Sequence, residues 1–242
     1  MLPFLRKIRK TLIDSSSTKK YFIYAIGEIA LVVIGILIAL QINNWNERRK
    51  DSIRETNILK DLVENLESNS NILERISQDG FKRDSISSET IILTIENKLP
   101  YHDSLDYHFA YSLNMRSEET VLSYVGYESM RNAGFDIVRN NELKKEIIQL
   151  FELTYDRSQD RNNRVGQVFV EVQKIKHARF MRKSGFRFAP FDYDSLIEDK
   201  EYLSWLHFIK NNREWVNSTF KESLEETLRV TQLIKDELNE SQ

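Results

Sequence analysis

Four histidines, 37 carboxylate side chains and no cysteine are the raw material for chemistry in this 242-residue chain. His102, His108, His177 and His207 form neither an H-E-x-x-H motif nor another compact metal-ligand spacing. The absence of cysteine excludes a disulfide framework and a thiolate metal site. Tyr101-His102-Asp103 has the residue types of a metal corner but reads as a solvated loop. No G-x-S-x-G, phosphate-binding loop or dinucleotide fingerprint occurs. Glu128 and Arg131 read as a surface ion pair rather than an acid/base pair. Trp205 and Trp215, with Phe208 and Phe220, read as core, an aromatic ligand pocket being the alternative. No residue is therefore assigned a catalytic, cofactor-binding or metal-binding role, and an enzyme with an unrecognised site ranks last among the functional readings.

The sharpest single residue is Glu28, which lies inside the apolar stretch YFIYAIGEIALVVIGILIALQI, Tyr21 to Ile42. An acid there invites a functional reading, because ionisable side chains in lipid are costly. The bland reading places Glu28 at the interface, reaching headgroups or Lys19 and Lys20. The alternatives are a helix-packing or partner-binding role, and proton coupling. Gly27, Gly35 and Ala39 add small surfaces, with Gly35 and Ala39 in a small-xxx-small pair that permits close helix approach. Trp45 sits where an interfacial aromatic belongs, and Tyr21 and Tyr24 mark the other end. Gly27, Glu28, Gly35, Ala39 and Trp45 are thus the membrane and partner candidates.

These residues need an element to carry them, and the stretch itself supplies it. Twenty-two residues rise roughly 33 Å as a helix, enough for a bilayer's hydrocarbon core. Ile29 to Leu40 is unbroken by any polar side chain, and only a helix satisfies such a backbone in lipid. A cleaved signal peptide would end in a small-residue site, whereas this run ends in Gln41, Asn43, Asn44 and Trp45. Arg6, Lys7, Arg9, Lys10, Lys19 and Lys20 precede the span with one acid, Asp14. Arg48, Arg49, Lys50 and Arg54 follow it, mixed with Glu47, Asp51 and Glu55. This bias predicts a cytoplasmic N-terminus and a periplasmic C-terminal part, at a bacterial inner membrane. Residues 1–20 form a basic segment, either amphipathic on anionic lipid or a tail that only sets topology.

Six basic and two acidic side chains in the first 45 residues (+4) leave 29 basic and 35 acidic (−6) in the rest. That balance speaks against nucleic acid as a partner. Three prolines and seven glycines point to long helices. Leu59, Leu62, Leu66, Leu73 and Ile76 predict a helix over Asn46–Ser77, with Gly80 as its stop. A second helix is expected over Asp84–Lys98, ended by Pro100, and short helix with loops over 101–118. Glu119–Ala133 reads as a helix closed by Gly134. Asn141 is expected to cap a helix running to Met181, with Val168, Val172 and Ile175 inward. Residues 184–193 form an aromatic-rich connection. The last helix, Ser195–Leu238, carries a near-heptad seam of Tyr202, Leu206, Ile209, Val216, Phe220, Leu224, Thr231, Ile234 and Leu238.

The stretch Tyr24–Lys50, YAIGEIALVVIGILIALQINNWNERRK, resembles the N-terminal signature of an uncharacterised family of membrane proteins common in Bacteroidota, a domain of unknown function. Tyr127–Ile147, YESMRNAGFDIVRNNELKKEI, is similar to that family's second recurring block. The resemblance implies a short basic N-terminus, a span with the Gly-Glu pair and a helical region; it implies no activity. In layout alone, the chain also looks like single-span subunits of proton-driven stator complexes.

The expected class is all-α: a single transmembrane helix over 21–43, then an antiparallel helical bundle over 46–242. The expected function is non-catalytic binding, as a scaffold or sensory accessory subunit, without a cofactor. An ion-coupled membrane-complex subunit using Glu28 is the alternative. Membrane lipid, a membrane-protein partner and a homo-oligomer are the candidate partners.

Overall fold

The computed structural model describes residues 18–113 and 121–240. The chain divides into two compact units, residues 1–54 and 55–242. The basic segment expected over 1–20 lies outside the described residues up to residue 17, as do Glu119 and Thr120. The class is all-α.

Helix α1, Thr18–Arg75, supplies every described residue of the first unit and opens the second. It is long and apolar enough to cross a membrane. Only Gly27 and Gly35 interrupt its side chains before Arg54, and it holds no proline.

The second unit is built on three long helical stretches. The first continues α1 from Glu55 through a π-turn, Ile76–Gly80, into α2, Phe81–Glu96. This corrects Gly80 as a stop. A π-turn holds one residue more than an α-turn, so the chain passes through the glycine and the buried stripe moves by one position. Glu55, Leu59, Leu62, Leu66, Asn69, Leu73 and Ile76 face inward before the turn. After it Asp84, Ser88, Ile91 and Ile95 form the inward row, with Ser87 and Thr94 buried beside it and Arg83 and Thr90 half-buried. Lys98 at φ 49° and Pro100 end this stretch. Short helices α3, Leu105–Ser112, and α4, Val125–Ala133, follow, and Gly134 at φ 89° closes α4 as expected. The helix predicted from Glu119 starts at Val125, since 121–124 is irregular.

The second long stretch is α5, Asn141–Gln149, a π-turn, Leu150–Tyr155, α6, Asp156–Gln167, and α7, Phe169–Arg179. Its cap is Asn140 rather than Asn141: the Asn140 side chain accepts from the backbone N–H of Glu142 and of Leu143, each at 3.1 Å. The same one-residue advance occurs here. Leu143, Ile147 and Leu150 face inward before the π-turn, and Phe151, Tyr155, Ser158, Asn162 and Val165 after it. Val172 and Ile175 are buried as expected, and Val168 packs against them half-buried.

Residues 180–190, expected to be part of a helix and a connection, form a small antiparallel hairpin instead. Strand β1, Phe180–Arg182, pairs with β2, Phe188–Pro190, around Gly185 at φ 71°. Glycine populates that left-handed region without strain. After α8, Tyr193–Ile197, capped by Asp192, helix α9 runs over Lys200–Glu240.

Helix α9 is antiparallel to the other two long stretches. His207 meets Glu96, Lys210 meets Glu89, Glu214 meets Ser85 and Lys235 meets Glu67, the numbers rising on one helix as they fall on the other. Against the second stretch, Trp215 lies under Arg161, Glu222 meets Arg157, and Arg229 meets Glu146. The core between them includes Leu62, Leu66, Leu73, Ile147, Tyr155, Val216 and Ile234. Each such aliphatic side chain contributes roughly 1.5–3 kcal/mol by leaving water. Aromatic contacts extend it at both ends: Tyr127 stacks on Phe151 with centroids 4.6 Å apart, and Phe180 lies between Phe109 at 5.1 Å and Tyr202 at 5.5 Å.

Candidate functional site

The five residues singled out in the first unit all lie on α1. At about 100° per residue, Glu28, Gly35 and Ala39 fall within about 20° of one line along the helix, roughly 10 and 17 Å apart from Glu28. Gly27 and Trp45 share a different line, about 100° away. The helix therefore groups the acid with the small-xxx-small pair, and leaves Gly27 and Trp45 apart. A Cβ added at Gly27 or Gly35 would meet nothing within 4 Å. The side chains around them are exposed, Leu31 at 73% and Trp45 at 63%. The side chains of Tyr21 and Tyr24 lie outside the described residues.

The second unit's polar chemistry is buried, and most of it was not read from sequence. Asp84 and Arg213 pair in the core at 3.2 Å, both fully buried. Arg83 approaches the other Asp84 oxygen at 3.3 Å while its guanidinium lies 4.3 Å over the Tyr111 ring. Glu55, also buried, accepts from the Arg139 backbone N–H at 2.8 Å and from its Nε at 2.7 Å.

Asn69 grips Ser123 through both backbone groups: its Oδ1 accepts from the N–H at 2.7 Å and its Nδ2 donates to the carbonyl at 3.0 Å. One turn earlier, Asn65 accepts from the Gly126 N–H at 2.6 Å and the Ser123 hydroxyl at 3.2 Å. A Cβ at Gly126 would sit 2.9 Å from the Leu62 backbone nitrogen. This clamp requires glycine there, so that Val125–Ala133 lies directly on the long helix.

Near the hairpin, buried Lys176 donates to the Ala110 carbonyl at 3.0 Å and sits 4.0 Å over the Phe188 ring. Burial pushes its pKa down to about 8, with Arg182 adding repulsion and Asp84 partly opposing both. Lys183 reaches buried Asp106 at 2.8 Å, and the Tyr101 hydroxyl donates to the other Asp106 oxygen at 2.5 Å. Tyr101 is thereby tied to α3, so Tyr101-His102-Asp103 is an ordered corner with a structural hydrogen bond.

The histidines are scattered: His102 meets Ser104, His108 meets Ser87, and His207 meets Glu96. Burial holds the His108 pKa below its usual range. Among the described residues no group of three or more His, Asp or Glu side chains could hold a metal ion. Glu128 and Arg131 form an exposed ion pair at 2.6 Å. Of the four aromatics expected in the core, Phe220 is fully buried and Trp205 is half-buried against Phe208. Trp215 and Phe208 are instead exposed, because both lie outside the inward row of α9, and Trp215 lies 4.4 Å beneath the Arg161 guanidinium.

Residues 28–88 are similar to a family described as a family of unknown function, DUF6090. This stretch begins at Glu28, contains Gly35, Ala39 and Trp45, and runs through the first π-turn to Ser88. Among curated proteins and among solved structures, no match is found.

Proposed function

We propose that the chain is a single-pass membrane protein whose helical bundle works by binding, as a scaffold or sensory accessory subunit, with no catalysis of its own. The observation that carries this reading is the exposure of α1. From Phe22 to Ile42 its large apolar side chains with described surroundings are exposed, and none of its most apolar window is covered by the rest of the described chain. A core helix of a soluble protein would bury that surface. An uncovered apolar face of this size needs lipid or a partner.

Trp45 fits an interfacial anchor, and the span would occupy 21–43. The charge bias supports a cytoplasmic N-terminus and a periplasmic bundle at a bacterial inner membrane. The test begins with alkaline carbonate washing of membranes from cells making the full chain. It continues with detergent extraction, affinity capture, mass spectrometry and particle sizing. Retention in the washed membrane and a stoichiometric co-purifying protein are expected. Release into the wash would end the membrane reading, and a monomer without partner would end the subunit reading.

A second reading is favoured by one observation, the common face of Glu28, Gly35 and Ala39. Spans packed through that face would bring their acids together in a homo-oligomer, as an ion-coupled subunit requires. Glu28→Gln separates the two readings: lost function with intact expression and assembly supports coupling, and an unchanged phenotype removes it.

A further inference from the structure

Beside the first π-turn the second unit holds a surface cleft of about 510 Å³. Ser77, Lys82 and Ser85 line one side, and Asn217 and Lys221 the other, with the buried guanidinium of Arg213 at its base. The volume lies in the range of small-molecule sites.

Two other lysines of the same helices pair with carboxylates, Lys210 with Glu89 and Lys235 with Glu67. Among the described residues, Lys82 and Lys221 have no carboxylate partner. Glu214, the one carboxylate of the lining among the described residues, already accepts from the Ser85 hydroxyl at 3.2 Å. Among the described residues no donor reaches the buried amide oxygen of the Asn217 side chain, and such a group costs free energy until a donor arrives. Among the described residues Ile86 is the one apolar side chain in the lining, which favours a polar, water-soluble ligand.

We propose that this cleft binds a small, water-soluble phosphomonoester that carries a free hydroxyl. Lys82 and Lys221 take the phosphate as charge-assisted donors. The ligand's hydroxyl donates to the Asn217 amide oxygen. The π-turn carries Ser77 into the cleft wall, and π-turns within α-helices recur at functional sites. The cleft is built from bundle residues alone, so the inference stands apart from the membrane reading.

The test is isothermal titration calorimetry on the full chain in detergent at fixed chloride concentration, with glycerol 3-phosphate as probe. Inorganic phosphate and glycerol are the comparisons. One saturable site is expected for glycerol 3-phosphate, with weaker phosphate binding and none for glycerol. Each lysine removed costs about tenfold in affinity. The Lys82→Gln/Lys221→Gln protein therefore loses about a hundredfold while keeping its melting temperature. Exposed Lys60→Gln/Lys200→Gln leaves affinity unchanged. Absence of saturable binding, or equal affinity in both double variants, overturns the site. Equal affinity for phosphate and glycerol 3-phosphate overturns the hydroxyl contact.

Discussion

Arg213 is fully buried, and its charge is balanced by Asp84 across the helix interface. Removing one partner of such a pair strands the other, whereas replacing both with apolar groups is often nearly neutral. Arg213→Met should cost about 3–5 kcal/mol in chemical denaturation, and Asp84→Leu with Arg213→Met should cost far less than the two single changes together. Lys176 allows a pH test. Its folded pKa, about 8, lies below the ordinary 10.5, so the unfolded chain binds more protons between those values and stability must rise with pH there. The gap corresponds to roughly 3 kcal/mol. Lys176→Met should be more stable than the parent at pH 7, and the difference should shrink as pH climbs from 8 to 10.5. A difference that stays flat would mean that Lys176 is not buried as a charge. Gly126→Ala should lose roughly 1–3 kcal/mol, since its new methyl meets backbone rather than a mobile side chain. Of these residues the sequence reading found none, and the reason is specific. The inward row of α9 is Tyr202, Leu206, Ile209, Arg213, Val216, Phe220, Ser223, Thr227, Val230 and Ile234, alternating steps of four and three throughout. An apolar pattern skips Arg213, Ser223 and Thr227, but unbroken alternation through those polar positions would have marked them as interior.

Helices were legible wherever apolar spacing was regular, and failed to be where register changed. Leu59–Ile76 and Ile91–Ile95 belong to one helical stretch, yet their stripes differ by one position because the π-turn at Ile76–Gly80 lies between them. A reader who sees the phase break beside a glycine infers a stop. The hairpin at Phe180–Pro190 was missed for a different reason: three-residue strands are too short to alternate recognisably, and the pairing depends on Gly185. The π-turns give a sharp test. Deleting exposed Leu153 from Leu150–Tyr155 should let that turn close as ordinary α-helix and keep Ile147 and Ser158 facing inward. Deleting exposed Asn163 from α6 should instead rotate Val172 and Ile175 out of the core by about 100°. Circular dichroism melting should show the first variant folded, with a modest loss, and the second severely destabilised. Equal damage from both deletions would refute the register account.

At the scale of the molecule, α9 begins beside Glu96 and ends beside the start of the second unit. Asn140 donates to Glu237, and the neighbouring Arg139 binds Glu55. Residue 55 and the end of α9 thus share one end of the bundle, and the hairpin occupies the other, about 60 Å along if Glu55–Glu96 runs straight. That arrangement has a mechanical meaning. Tension applied between residue 55 and residue 240 peels α9 away one turn at a time, breaking few contacts at any moment. Tension between residue 55 and the hairpin tip at Gly185 must slide whole helices past one another, loading their shared contacts together. Tweezers attached at the two pairs of points should record a markedly higher rupture force for the second. A binding partner that grasps the hairpin would pull on the stiff axis of this bundle, and one that grasps the end of α9 would pull on its zipper.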